Sequence, residues 1–373
     1  MDSLGWVVAV LILLGIAGLI GRRGKEKPRS AQRRGPASVA SAQSRPVMPP
    51  EAPEATPTAE RGPVPPELAD FTLLQTDGLG ASTLAELSPL TSSLSQPHPM
   101  MGRLASGLDD PEAIQEIVRK DPGLSAEVLR RVNSSAFGLS TPIVSVQHAL
   151  TFLGSNFVRQ VVLHSAVAPS IPLETAEQQA AVDQLWQASY IGSRYAQLAA
   201  QHIGLPHSSA LATQVLLACL GDVIVVAARP DLAAGSVEQP TLFERTDIQQ
   251  KTLGANSGQL AAWLAQQWRL PEELVERLRY SLLPMAVPSE EYPLHGEARR
   301  TNLVAYAALI IGQRVMRERC TEVADVDLAN DNGLDCFYLP DHLHAAQLGT
   351  LLQLNQEALM RRKLNPLIAT LLG

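Results

Sequence analysis

From about residue 83 onward apolar positions recur at helical intervals, and no convincing alternation of polar and apolar residues interrupts them, so the body reads as all-α. One helix is predicted to open at Asp121 and Pro122, where a carboxylate caps free backbone N–H groups and a proline fits the first turn. Leu124, Val128, Leu129 and Val132 fall on one face of it, and Asn133, Ser134 and Ser135 end it ahead of Phe137 and Gly138. After Pro142, Ser145 caps a short helix carrying Val146, Ala149, Leu150 and Leu153 to a stop at Gly154, and a third helix follows through Phe157, Val158, Val161 and Val162. Longer periodic segments predict helices over 174–202, 208–228, 257–268, 271–282 and 297–318, with a last stretch from near Asp341 to Met360 or beyond. Thr83 with Glu86 has the spacing of a capping box, and Asp110 with Pro111 repeats the cap-and-proline start. The Asp, Asn and Gly residues of 319–340 read as a loop. Leu216, Leu217, Leu220, Val223, Ile224 and Val226 leave hardly any polar face, which predicts a central core helix; Gly221 and Asp222 interrupt it too much for a membrane span.

A different pattern holds at the N-terminus. Leu4–Ile20 is seventeen residues without a charge. At 1.5 Å per residue it covers about 25 Å, the short end of what crosses a bilayer. Arg22, Arg23, Lys25, Lys27, Arg29, Arg33 and Arg34 crowd its C-terminal side, while no basic residue precedes it. That asymmetry predicts a single-pass membrane anchor, residues 1–21, with the long C-terminal portion cytoplasmic. A cleaved secretory signal is the competing reading, but the charged leader segment and a small-residue cleavage site are both missing. Ala17 and Gly21 have the small-xxx-small spacing that lets two anchors pack closely, which would give a homodimer. Ten prolines lie between Arg22 and Pro66 with little that can be buried, so residues 22–82 are assigned as a basic, then proline-rich, disordered linker. Forty-five residues of flexible coil reach roughly 35 to 40 Å. The basic stem suits anionic lipid head groups.

Charge divides along the chain. Residues 22–62 carry nine Lys or Arg against four Asp or Glu, whereas residues 63–373 carry 21 against 32, a net of −11. An acidic body repels a phosphate backbone, so nucleic acid is excluded as its partner. Cys219, Cys320 and Cys336 are widely spaced and form no CxxC pair, which points to reduced thiols and away from a zinc ribbon or a disulfide framework.

The succession DPGLSAEVLRRVNSSAFG, PIVSVQHALTFLG and VRQVVL between Asp121 and Leu163 resembles the HDOD family (HD-related output domain), found mostly in bacterial signalling. Weaker resemblance runs through Leu185 and Trp186, 216–226, 253–271 and Leu274 to Tyr280, covering roughly 83–360. It implies a multi-helix HD-like domain with a core at 83–285 and a C-terminal helical extension at 286–373 that completes the domain. Related HD phosphohydrolases hold one or two metal ions through histidines and aspartates, because the ion must both generate hydroxide and neutralise phosphoryl oxygens. None of the eight histidines here precedes an aspartate, and where the resemblance places that pair the chain reads Gly221 and Asp222. The other ligand positions read Ala188, Ser257 and Ser281. These five are vestigial, so no catalytic, metal or cofactor residue is assigned. Asp222 reads as a hydrogen-bonded structural carboxylate.

His342 and His344, beside Asp341, are explained by capping and solvent exposure, and His148 and His164 by surface or packing roles. The Glu357, Ala358, Leu359 triplet inside a helix carries no evidence for a cyclic-nucleotide phosphodiesterase. The expected function is a non-catalytic signalling or output module that binds a protein or small ligand. Arg130, Arg131, Asn133, Ser134 and Phe137 form the candidate interaction element, against the plainer reading of a helix stop and core plug. The rivals are a metal-dependent phosphohydrolase with an atypical ligand set and a structural envelope protein.

Overall fold

Around the most apolar stretch of the chain the helices cross closely enough for backbone to touch backbone. The structure, a computed structural model, describes residues 62–91, 143–155, 173–232 and 240–372, with single positions between 114 and 129 and between 158 and 163. The N-terminal apolar segment, the basic stem and Arg130, Arg131, Asn133, Ser134 and Phe137 lie outside the described residues. Among the described residues there is no strand. The helices are α1 (Pro66–Ala69), α2 (Ala81–Thr91), α3 (Val146–Leu153), α4 (Ala176–His202), α5 (Ser208–Ala228) and α6 (Leu242–Leu253). They continue as α7 (Ser257–Gln267), α8 (Glu272–Arg279), α9 (Leu283–Ala286), α10 (Gly296–Glu318), α11 (Leu339–Ala345) and α12 (Ala358–Leu372).

α4 and α5 form the central hairpin. Thr175 and Gln178 make a capping box at the start of α4, and Gln178 Nε2 also donates to Val226 O at 2.8 Å, tying the start of α4 to the end of α5. Trp186, Leu216, Leu220 and Val223 face one apolar cluster shared with α3, α7 and α8. Ile191, Tyr195, Leu211 and Val215 face a second, shared with α10 and the C-terminal elements. α5 is long and apolar enough to cross a membrane, but 89% of its apolar window is buried among these helices, so it is a core helix. α10 approaches α4 so closely that a Cβ on Gly312 would lie 2.1 Å from Ala188 O; only glycine permits that crossing.

Three expectations change. The linker assigned through residue 82 is tied to the domain from Pro66 on. Leu68 and Leu73 are buried, Leu74 N donates to Gln250 Oε1 at 2.8 Å, and Asn256 Nδ2 donates to Leu74 O at 2.9 Å. Thr83 does not cap with Glu86; it sits inside α2 and its hydroxyl donates to Leu253 O at 2.7 Å. Residue 285 lies inside α9, and α10, in the extension expected to complete the domain, packs mainly on α4. The single helix expected from Asp341 is broken, because Gln347 adopts a left-handed φ of 57° and Leu348 N donates back to Leu343 O at 2.7 Å. The 3-10 turns Gly349–Leu352 and Leu354–Gln356 separate α11 from α12.

Candidate functional site

Four of the five positions that the resemblance assigns to the ligand set line one cavity. Ala188 on α4, Asp222 on α5, Ser257 at the start of α7 and Ser281 after α8 line one inner cavity of about 30 Å3. Gly221 precedes Asp222 and packs on the start of α7: a Cβ on that residue would lie 1.8 Å from Ser257 O. α5 and α7 therefore meet backbone to backbone at Gly221, leaving no room for a side chain there.

Asp222 is 5% exposed and fully engaged. Arg245 grips it with Nε to Oδ1 at 2.8 Å and Nη2 to Oδ2 at 3.2 Å, a bidentate charge-assisted pair. Gln249 Nε2 donates to Oδ1 at 2.7 Å, while Gln249 Oε1 accepts from Ser257 N at 2.9 Å, so one relay joins α6, α5 and the start of α7. Both partners of the carboxylate come from α6. That helix exists because Thr241 and Glu244 form a capping box at its start and Gly254, at a φ of 66°, ends it.

Cys219 also lines the inner cavity, but burial pushes its thiol up to about 12, so it stays protonated at neutral pH. Hydrolytic metal sites need several imidazole and carboxylate ligands with open coordination positions. Among the described residues lining this cavity, Asp222 alone is a carboxylate, no histidine is present, and a guanidinium already supplies the positive charge. The residues present do not fit a divalent ion. Outside the Arg245–Asp222 pair the cleft opens into a larger cavity of about 410 Å3, walled by Leu185, Val225, Val226 and Ile248 with Glu244 and Gln249 at its polar side.

A second acidic group is filled in the same way. Asp331, Asp335 and Cys336 offer ligand atoms within 4.8 Å of one another. Arg314 pairs its Nε with Asp331 Oδ2 at 2.8 Å and its Nη2 with Asp335 Oδ1 at 2.7 Å, and Leu242 N donates to Asp335 Oδ2 at 3.1 Å. Burial pushes the Asp335 carboxyl above its usual range, and the neighbouring guanidinium opposes that shift. This pair locks the 319–340 connection, which contains the 3-10 turn Val323–Asp325, against the first residue of α6.

His342 corrects the reading of the late histidines. It is fully buried, with Nε2 2.7 Å from Val287 O and its ring edge-on to Tyr292, so solvent exposure does not explain it. Burial holds its imidazole down at about 4. It neither caps nor approaches the cleft.

These features define an all-helical domain whose central cleft is closed by an arginine–aspartate pair at the level of the helix crossings. The HDOD domain family matches residues 95–284, just over half of the chain, and the chain belongs to that family. An uncharacterized protein of Treponema pallidum (strain Nichols) is 26% identical over 201 residues, 48% of this chain and 35% of that protein, so this chain spans about a third of its length. Among solved structures, a protein of Marinobacter aquaeolei VT8 provisionally named for signal transduction matches with a TM-score of 0.52 and 17% identity, over 82% of this chain and 68% of that one. That likeness shows the fold alone. A protein of Shewanella amazonensis SB2B provisionally named a phosphohydrolase gives a TM-score of 0.48 and 19% identity, over 79% of this chain and 98% of that one.

Proposed function

We propose that this chain is a signalling module that works by binding a protein partner and does not hydrolyse phosphate esters. The observation that carries the reading is the Arg245–Asp222 pair, because a fixed guanidinium occupies the carboxylate that a hydrolytic ion would need. The backbone contact at Gly221 supports it, since no imidazole fits between α5 and α7 there. Family membership and the signal-transduction name given to the Marinobacter protein of similar fold support a role in signalling. Residues 1–21 would hold the module at the cytoplasmic face of a bacterial inner membrane, with the basic stem against anionic lipid. Full-length protein purified in non-ionic detergent tests the reading through affinity capture combined with a phosphodiester hydrolysis assay. A stoichiometric protein partner and no turnover above background are expected. Turnover that disappears in Asp222→Asn would overturn the proposal.

A further inference from the structure

Residues 65–77 precede the segment matched to the HDOD family and cross the corner between α6 and α7. They are held there by side-chain amides that grip main chain. Gln250 Nε2 donates to Thr72 O at 3.0 Å, and Gln250 Oε1 accepts from Leu74 N at 2.8 Å. Asn256 Nδ2 donates to Leu74 O at 2.9 Å, and Gln259 Nε2 donates to Thr76 Oγ1 at 2.8 Å and to Thr76 O at 3.4 Å. Residues 72, 74 and 76 therefore turn one edge toward the corner, the period-two pattern of an extended segment. Apolar anchorage is modest: Leu68 and Leu73 are buried, and Phe71 leans on Phe243 of α6 with ring centroids 4.9 Å apart.

Two features make this strap separable from the domain. Both polar atoms of the Gln75 side chain are buried and meet no partner among the described residues, so docking leaves a desolvated amide that release returns to water. Gly78 follows, and a Cβ placed on it would have nothing within 4 Å, which gives the chain an unobstructed pivot. The Arg279–Asp77 ion pair beside the pivot is exposed on the aspartate side and adds little hold.

The same corner serves the cleft. Gln249, adjacent to Gln250, donates to Asp222 Oδ1 and accepts from Ser257 N. Asn256, adjacent to Ser257, caps α7 in a box with Gln259. In each neighbouring pair one residue holds the strap and the other belongs to the Asp222 relay, so a shift of the corner is felt by both.

We propose that residues 65–77 are a releasable strap, and that its docking sets how firmly the Asp222 relay is closed. Docked, the strap fixes Gln250 and Asn256 and, through them, Gln249 and Ser257. Its release takes partners from Gln250, Asn256 and Gln259 together, the corner is free to move, and the hold on Asp222 loosens. Residues 1–64 are joined to the domain through this strap, so a load or a partner on that stretch acts first on the corner. The inference does not depend on whether the cleft binds an ion.

Hydrogen exchange of the full chain in non-ionic detergent, read at single residues by mass spectrometry with electron-transfer fragmentation, tests the coupling. The Leu74 amide, bonded to Gln250, reports the strap, and the Ser257 amide, bonded to Gln249, reports the relay. Amides of residues 303–311 in α10 report the whole fold. In the parent protein Leu74 should exchange about tenfold or more faster than those α10 amides. Leu73→Ala, which alters the strap and leaves α6 and α7 intact, should speed both Leu74 and Ser257 by about tenfold or more. Gln75→Met, which removes the stranded amide, should slow both. The α10 rates should stay the same in each variant. A Leu74 rate as slow as α10, a Leu74 rate indifferent to either substitution, or a Ser257 rate that stays fixed when Leu74 changes would overturn the proposal. So would α10 rates that change in step with Leu74, because the strap would then open only with the whole domain.

Discussion

Gly221 on α5 and Ser257 on α7 are packed so closely that the serine carbonyl oxygen occupies the space a side chain would need: an added Cβ would stand 1.8 Å from it. Alanine is ordinarily the better helix former by up to about 1 kcal/mol, but here it must force two buried backbones apart. Gly221→Ala is expected to destabilise the fold by about 3 kcal/mol or more. Urea unfolding of the variant checks this, and a midpoint equal to that of the parent protein would show that α5 and α7 are not in contact there.

Arg245 and Asp222 form a largely buried pair with side-chain exposures of 14% and 7%. Removing only the cation, as in Arg245→Met, strands a carboxylate and is expected to cost about 3 kcal/mol or more. Adding Asp222→Asn removes the stranded charge while Gln249 still finds an amide partner, so the double variant should regain more than half of the loss. A double-mutant cycle by urea unfolding measures the coupling. Additive losses would mean the two side chains do not hold each other.

His342 makes acid stability diagnostic. Its imidazole titrates near 4 in the fold against an ordinary value of 6.5, because burial disfavours the charged form. As pH falls below 6.5 the unfolded chain takes up the proton first, so stability is lost progressively down through pH 4. The loss attributable to this residue is about 3 kcal/mol. In His342→Leu the unfolding midpoint should depend less steeply on pH between 6.5 and 4 than in the parent protein. Equal slopes would show that the ring is solvated.

The strongly periodic helices were legible in the sequence. α5 spans Ser208–Ala228 as the apolar run predicts, and α10 begins one residue before its expected start. Ala188, Asp222, Ser257 and Ser281 line one cavity. What sequence reading missed was α6, whose composition is polar apart from Leu242, Phe243, Ile248 and Leu253 and which therefore shows no strong apolar stripe. Its Thr241 and Glu244 box and its terminal Gly254 were the available signals. Missing α6 meant missing Arg245 and Gln249, so Asp222 was recognisable as a structural carboxylate without its partners. A histidine beside an aspartate in a helix's first turn looks like a cap, and only packing against Tyr292 and Val287 reveals the burial of His342. The break after α11 depends on a left-handed Gln347, a conformation that residue type does not advertise.

The central claim is that an arginine stands where a hydrolytic ion would be held, and metal analysis of the full-length protein tests it most directly. Protein purified in detergent without chelators, incubated with Mn2+, Fe2+ or Zn2+ and then desalted, should retain no stoichiometric metal by inductively coupled plasma mass spectrometry, and Asp222→Asn should match the parent. One or more ions per chain, lost in Asp222→Asn, would contradict the account.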